Sequence, residues 1–85
     1  TNVTANCLHP ATYMDTTMVR QGGITPINSV DTGADAVLAL VNDTKSLTGR
    51  YFDVQRETKA NAQAYDRDAR RRLKALSLKL TGLDA

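Results

Sequence analysis

The stretch that decides the fold is residues 29–41, SVDTGADAVLALV. Its apolar side chains recur at helical spacing, at Val30, Ala34, Val37, Leu38 and Val41. Asp31 and Asp35 fall away from this stripe, and Ser29 is a residue type whose hydroxyl accepts a hydrogen bond from a first-turn amide. The pattern predicts an amphipathic helix from Asp31 to Val41, capped by Ser29.

Short segments of strand character lie on both sides of this helix. Residues 3–8, VTANCL, alternate in polarity, and His9-Pro10 ends them because proline has no amide hydrogen and restricts the residue before it. Residues 49–54, GRYFDV, form a second such segment. A strand, a crossover helix and a strand make the unit of a parallel sheet. We therefore expect these two strands to lie side by side and parallel.

The remaining segments complete a strand–helix–strand–helix order. Residues 11–28 are irregular, with a short helix within 13–19, and residues 56–61 are polar and connecting. A last helix is expected from Asn61 to Thr81, ended by Gly82. Its apolar stripe consists of Tyr65, Ala69, Leu73, Leu76 and Leu80. Two strands leave sheet edges and faces uncovered, so residues 1–85 are expected to be one partial α/β domain whose beginning is missing.

Composition excludes several classes of function. The chain has 85 residues, a net charge of +2 and 24% charged residues, which is too mild a balance to imply nucleic acid. Arginines 70–72 are expected to form a solvated helix face, and no segment is apolar enough for a membrane span. Cys7 is expected to be a buried, inert thiol in a reducing, cytoplasmic setting, and His9 a structural residue, so no metal site is expected.

Four segments in order carry a resemblance to a known family. They are VTANCLHPATYMDT at 3–16, the helix at 34–41, LTGRYF at 47–52, and the run from Arg70 to Leu83. They resemble the sixth strand, the helix after the substrate-side loop, the seventh strand and the last helix of short-chain dehydrogenases/reductases. The resemblance implies the C-terminal portion of a Rossmann-type parallel sheet, incomplete as given.

The resemblance also implies a cofactor and a place for it. These enzymes use NAD or NADP to transfer a hydride to or from a carbonyl or alcohol substrate, and the loop after the sixth strand lies beside the nicotinamide. Carried over, the cofactor-binding positions are Pro10, Ala11, Tyr13, Asp15 and Thr16. Ala11 stands where the family has glycine, and counting from Pro10 the family's threonine falls on Asp15, with Thr16 one residue later. Tyr13 either supplies a backbone contact or packs on the core.

The family's catalytic and phosphate-binding motifs do not occur in this sequence. No glycine set has the Gly-x-x-x-Gly-x-Gly spacing that cradles a pyrophosphate, and no tyrosine has a lysine four residues later. Tyr13, Tyr51 and Tyr65 are followed at that spacing by Thr17, Gln55 and Ala69. The chain alone is therefore expected to be inactive, with no catalytic residue.

Its expected contribution to a parent enzyme is one wall of the nicotinamide pocket, the substrate loop at 11–28 and an oligomer surface. Its expected partners are the rest of that enzyme or a second copy in a homo-oligomer. The alternative is a protein-interaction module that binds a partner through the stripe from Tyr65 to Leu80.

Overall fold

A computed structural model describes residues 2–83 as a mixed α/β arrangement of short elements. In chain order they are β1 (Cys7–His9), α1 (Thr17–Gln21), α2 (Val30–Val41), β2 (Tyr51–Asp53), β3 (Arg56–Thr58), a 3₁₀ turn (Ala62–Tyr65) and α3 (Arg67–Thr81). The expected α/β class is confirmed at this level.

The central pair of strands is parallel, as predicted. β1 pairs with β2 in the register Cys7↔Tyr51 and His9↔Asp53, with α2 in the connection between them. The pairing is closed at its two ends by backbone bonds from the Cys7 amide to the Arg50 carbonyl, 3.0 Å, and from the Val54 amide to the His9 carbonyl, 2.8 Å. Both strands are three residues long, shorter than the six-residue segments predicted from the sequence.

The sequence does not predict a third strand, because residues 56–61 are polar and have the pattern of a connection. β3 pairs antiparallel with β2, so the sheet order is β1-β2-β3. A two-residue turn joins the two strands, with Val54 at φ 60°. Ion pairs accompany the hairpin, Arg50–Glu57 at 2.8 Å and Arg56–Asp53 at 3.4 Å. In this hairpin, charged side chains on neighbouring strands take the place of the alternating apolar and polar residues by which a strand is predicted from sequence.

The helix ends follow local capping chemistry. The Ser29 hydroxyl accepts from the Thr32 amide at 3.2 Å and Asn42 ends α2, as predicted. Gly82 adopts the left-handed conformation at φ 70°, the expected helix C-terminal position.

Two helix boundaries in the prediction are wrong. The short helix covers Thr17–Gln21 instead of lying within residues 13–19. The last helix does not start at Asn61: the 3₁₀ turn comes first, and Asp66 caps α3. Asp66 accepts from the amides of Asp68 and Ala69, so Tyr65 lies outside α3 and is not part of its stripe.

The two faces of the sheet carry different elements. Neighbouring residues of a strand point to opposite faces of the sheet. Tyr51 and Phe52 are neighbours in β2, so their side chains mark the two faces. α2 lies on the Phe52 face, where Ala36 and Leu40 line a small cavity with Phe52. The 3₁₀ turn and the start of α3 lie on the Tyr51 face, where Tyr65 lines a groove with Tyr51. The polypeptide therefore places α2 and α3 on opposite sides of one sheet.

Little of this surface is covered. Ala11 and Ala36 are the buried apolar residues of the described part of the chain, and Cys7 is exposed, so the expectation of a buried thiol is wrong. The radius of gyration is 16.3 Å, against about 12 Å for a compact domain of this length. The accessible surface is 7132 Å², against roughly 4,900 Å² for a compact monomer of this mass.

Candidate functional site

The candidate site lies at the carboxyl edge of the parallel strands. β1 runs directly into Pro10 and the loop that follows, and β2 ends at the same edge because the two strands are parallel. In open α/β sheets, ligands bind in the crevice outside the carboxyl ends of the strands. The loop that carries the predicted site residues is therefore in the position where such a crevice forms.

This loop is closed by backbone pairing between its two limbs. Met14 and Asn28 form an isolated parallel bridge. The Asp15 amide donates to the Asn28 carbonyl at 2.9 Å, and the Asn28 side-chain amide donates to the Thr12 carbonyl at 2.6 Å. Residues 12–28 thus form a long loop with a fixed base, which contains α1 and whose closure the sequence does not predict.

Tyr13 has an unusual backbone conformation at the base of this loop. Its φ is 48°, in the left-handed region that most residues avoid. Its carbonyl accepts from the Ile27 amide at 3.0 Å and from the Asn28 amide at 3.4 Å. Its own amide makes no hydrogen bond within residues 2–83. Of the two backbone groups, the amide is therefore the one left to bind a ligand, and the side chain of Tyr13 is about half exposed.

Asp15 and Thr16 are both engaged in local interactions. The Thr16 hydroxyl accepts from the Val19 amide at 3.3 Å and caps α1. The Asp15 carboxylate binds the Arg20 guanidinium at 2.5 Å. This hydrogen bond from Arg20 lowers the pKa of Asp15, against an opposing effect of desolvation and with a further contribution from the charge of Arg20. Thr16 keeps its hydroxyl hydrogen for a further acceptor, whereas Asp15 stays ionised and paired.

The other side of the loop rests on α2. Ala11 is buried, and Pro10 and Met14 approach α2 at Gly33, where an added Cβ would overlap the Met14 sulfur and lie 3.5 Å from the Pro10 Cβ. Gly33 therefore lets the loop pack directly on the helix backbone. Sequence reasoning missed this role, since Gly33 lies within a helical pattern and gives no turn signal. Pro10, Ala11, Tyr13, Asp15 and Thr16 are thus held at one edge by sheet and helix together.

A second groove lies on the opposite face of the sheet. It has a volume of about 370 Å³ and is lined by Cys7, Tyr51, Tyr65 and Arg70 among others. Lys59 lies 4.9 Å from the centre of the Tyr65 ring, and the Tyr65 hydroxyl accepts from the Ala60 amide at 3.0 Å. The sequence did not predict this groove, because Tyr65 was expected in the apolar stripe of the last helix and Arg70 on a solvated helix face.

Two classes of site find no support in the described residues. His9 Nε2 is bonded to the Thr12 hydroxyl at 3.0 Å. No group of three or more His, Cys, Asp or Glu side chains within residues 2–83 could hold a metal ion. Among those same residues, no helix combines the length and apolar character needed to cross a bilayer.

Comparison with protein-family models, with curated proteins and with solved structures finds no match to this chain.

Proposed function

We propose that the chain is the C-terminal part of an NAD(P)-dependent short-chain oxidoreductase with a Rossmann-type sheet. The observation that carries the proposal is the position of the 10–28 loop at the carboxyl edge of two parallel strands joined by a crossover helix. That edge is where doubly wound sheets bind nucleotides. The resemblance of residues 3–16 and 47–52 supports the same proposal from the sequence.

In this proposal the loop forms one wall of the nicotinamide pocket. The bound cofactor supplies hydride chemistry toward a carbonyl or alcohol. When a cofactor is bound, the Tyr13 amide would donate to the carboxamide oxygen, since that amide has no partner within the described chain. Thr16 offers its hydroxyl hydrogen, Pro10 lies against α2 at Gly33, and Ala11 is buried at the start of the loop. The rest of the parent enzyme, or a second copy of the chain, supplies the phosphate-binding turn and the acid/base residues.

The test compares this chain with its parent. We expect the pure 85-residue chain to oxidise no NADH or NADPH with any small aldehyde or ketone, because it has no Tyr-x-x-x-Lys pair. We expect the upstream coding sequence to contain that pair and a glycine-rich turn, and the full enzyme to turn over. Turnover by the 85-residue chain, or an upstream sequence without both motifs, would contradict the proposal.

The alternative is a protein-interaction module. It is favoured by α3, whose Leu73, Leu76 and Leu80 are at least half exposed in a helix that packs chiefly on the 3₁₀ turn. A module of this kind would bind its partner through α3 without any effect of cofactor. Titration of NADH and NADPH into the full-length protein distinguishes the two, since only the oxidoreductase proposal requires saturable binding.

A further inference from the structure

The C-terminal helix α3 keeps one apolar edge exposed to solvent. Leu73, Leu76 and Leu80 recur at helical spacing and therefore share one side of the helix. They are 65%, 50% and 75% exposed, although the start of α3 packs on the 3₁₀ turn. No residue of α3 is buried. These three positions, the leucine stripe, are therefore available to an apolar partner outside the chain.

Cations border the leucine stripe on both sides. At about 100° per residue, Arg72 and Lys79 lie on one side of the stripe and Arg70 lies on the other. α3 contains six Lys or Arg residues and one Asp. Within residues 2–83, a carboxylate pairs with one of these six cations, Arg71, through Asp68. Unpaired positive charges and an apolar edge thus lie together on one exposed helix.

The two longer helices carry opposite charges on opposite sides of the sheet. α2, on the Phe52 face, carries Asp31 and Asp35 and no Lys or Arg. α3 leaves the 3₁₀ turn on the Tyr51 face, where Lys59 adds a further cation. The net charge of +2 for the whole chain therefore understates the positive charge on the side of α3. A negatively charged surface would attract that side and repel the side of α2.

We infer that α3 binds the chain to anionic lipid surfaces, lying in the plane of the headgroups with its leucine stripe against the acyl chains. Helices of this type combine a basic polar face, leucines on the other face and low overall hydropathy. The stems of Lys and Arg lie along the apolar layer while their charged ends reach the lipid phosphates. In this orientation both rows of cations that border the stripe contact headgroups, and α2 faces water. α3 has 15 residues and six cations, so it rests on the bilayer instead of crossing it.

Two other partners share part of this chemistry. A nucleic acid would use the cations but not the leucines, because its backbone offers negative charge without an apolar layer. A partner helix would cover the leucines but would need acidic residues along both of its edges to meet both rows of cations. A lipid headgroup layer presents negative charge on both sides of the stripe without that requirement. The inference rests on α3 and does not depend on the proposed oxidoreductase activity.

The first test measures binding of the purified chain to sucrose-loaded vesicles by co-sedimentation. We expect binding to phosphatidylcholine vesicles that contain roughly a third phosphatidylserine, and at least about tenfold weaker binding to phosphatidylcholine alone. Binding should weaken as the ionic strength rises from about 0.1 M to about 1 M, because the screening length falls from about 10 Å to about 3 Å. Equal binding to the two kinds of vesicle, or no binding to either, would overturn the inference.

Matched variants separate the leucine stripe from charge alone, with circular dichroism to check that each variant folds. Lys79→Glu reverses a charge beside the stripe and should weaken binding to anionic vesicles roughly tenfold. Lys74→Glu makes the same change on the far side of α3, about 10 Å or one screening length from the headgroups, and should have a much smaller effect. Leu80→Gln should weaken binding roughly fivefold or more, whereas Val41→Gln, at a similarly exposed position of α2, should leave it unchanged. Equal effects of the two lysine variants, or full binding by Leu80→Gln, would show a surface for polyanions in general and reject the lipid contact.

The second test locates the contact on the chain. In a Cys7→Ser background, which removes the exposed native thiol, an environment-sensitive fluorophore is attached at Leu76→Cys or, in a separate chain, at Val37→Cys. Both positions are exposed, so the label should not prevent folding. With anionic vesicles, emission from the label on α3 should shift to shorter wavelength, while emission from the label on α2 should stay the same. A shift at α2, or no shift at α3, would contradict the proposed orientation.

Discussion

At the scale of single residues, Tyr13 links backbone strain to the proposed site. Its φ of 48° is a conformation that glycine adopts without penalty. In the parent enzyme, Tyr13→Gly should keep or slightly raise the melting temperature while raising KM for the cofactor or the substrate, because the loop base loses rigidity and the ring contact. The measurement is steady-state kinetics together with thermal unfolding.

Tyr13→Ala is the matched control, since it removes the ring but keeps the restriction that a Cβ places on the backbone. If the ring matters, both variants raise KM; if the rigid amide matters, the alanine variant stays close to wild type. A large loss of thermal stability in the glycine variant, or an unchanged KM in both variants, would argue against a site at this loop.

Asp15 gives the loop a dependence on pH. Its hydrogen bond to Arg20 holds its pKa below the usual value near 3.9. The ion pair therefore stabilises the folded state fully above about pH 4. This stabilisation is lost as the pH falls through the depressed pKa of Asp15 in the folded state. Arg20 Nε–H and the Asp15 amide should show NMR shifts that move together in this acid range. Asp15→Asn should remove the transition, and its persistence in that variant would assign the effect to another group.

At the scale of elements, the parts that sequence predicts are those fixed by local chemistry. Ser29 and Gly82 were identified by residue type, because a hydroxyl at one helix end and a left-handed glycine at the other satisfy orphan backbone groups. The parallel pairing of β1 and β2 follows from the length and period of the segment between them. Residues 11–28 are mostly irregular, as predicted, and their placement beside a nicotinamide and the roles of their side chains remain predictions.

The parts that sequence does not predict depend on partners distant in the chain. β3 is defined by its backbone pairing with β2, which the exposed Arg50–Glu57 ion pair accompanies, and its sequence has no strand signature of its own. α3 begins late because Asp66 captures two amides and the Tyr65 hydroxyl binds the Ala60 amide. The apolar neighbours of Cys7 predict a buried side chain, whereas the structure leaves Cys7 exposed.

The capping interaction of Asp66 should contribute measurably to the stability of α3. This helix is exposed over nearly its whole length, so local interactions and not packing hold its first turn. Asp66→Ala should lower the free energy of unfolding by about 1 kcal/mol and the melting temperature by roughly 4–8 °C. Circular dichroism at 222 nm should show a loss of helix. Asp66→Asn keeps a side-chain acceptor and should behave like wild type; equal losses in both variants would mean that charge, not capping geometry, stabilises the turn.

At the scale of the whole molecule, the chain has too much surface for its mass. Its 7132 Å² leaves about 6,200 Å² to be exposed on unfolding, against about 8,400 Å² for a compact domain of 9.2 kDa. This excess of accessible surface includes the exposed apolar side chains of α2 and α3 and the groove on the Tyr51 face of the sheet. A chain of this kind gains stability from whatever covers those surfaces.

The dependence of unfolding on urea tests this property directly, because the m-value scales with the surface that unfolding exposes. At concentrations low enough to keep the chain monomeric, its m-value should be about three quarters of that of compact domains of equal length.

An m-value that already equals that of a compact domain of equal length would contradict the expectation, because it would mean that the chain closes on itself in solution. In that case the apolar side chains of α2 and α3 that face solvent here are covered within one molecule.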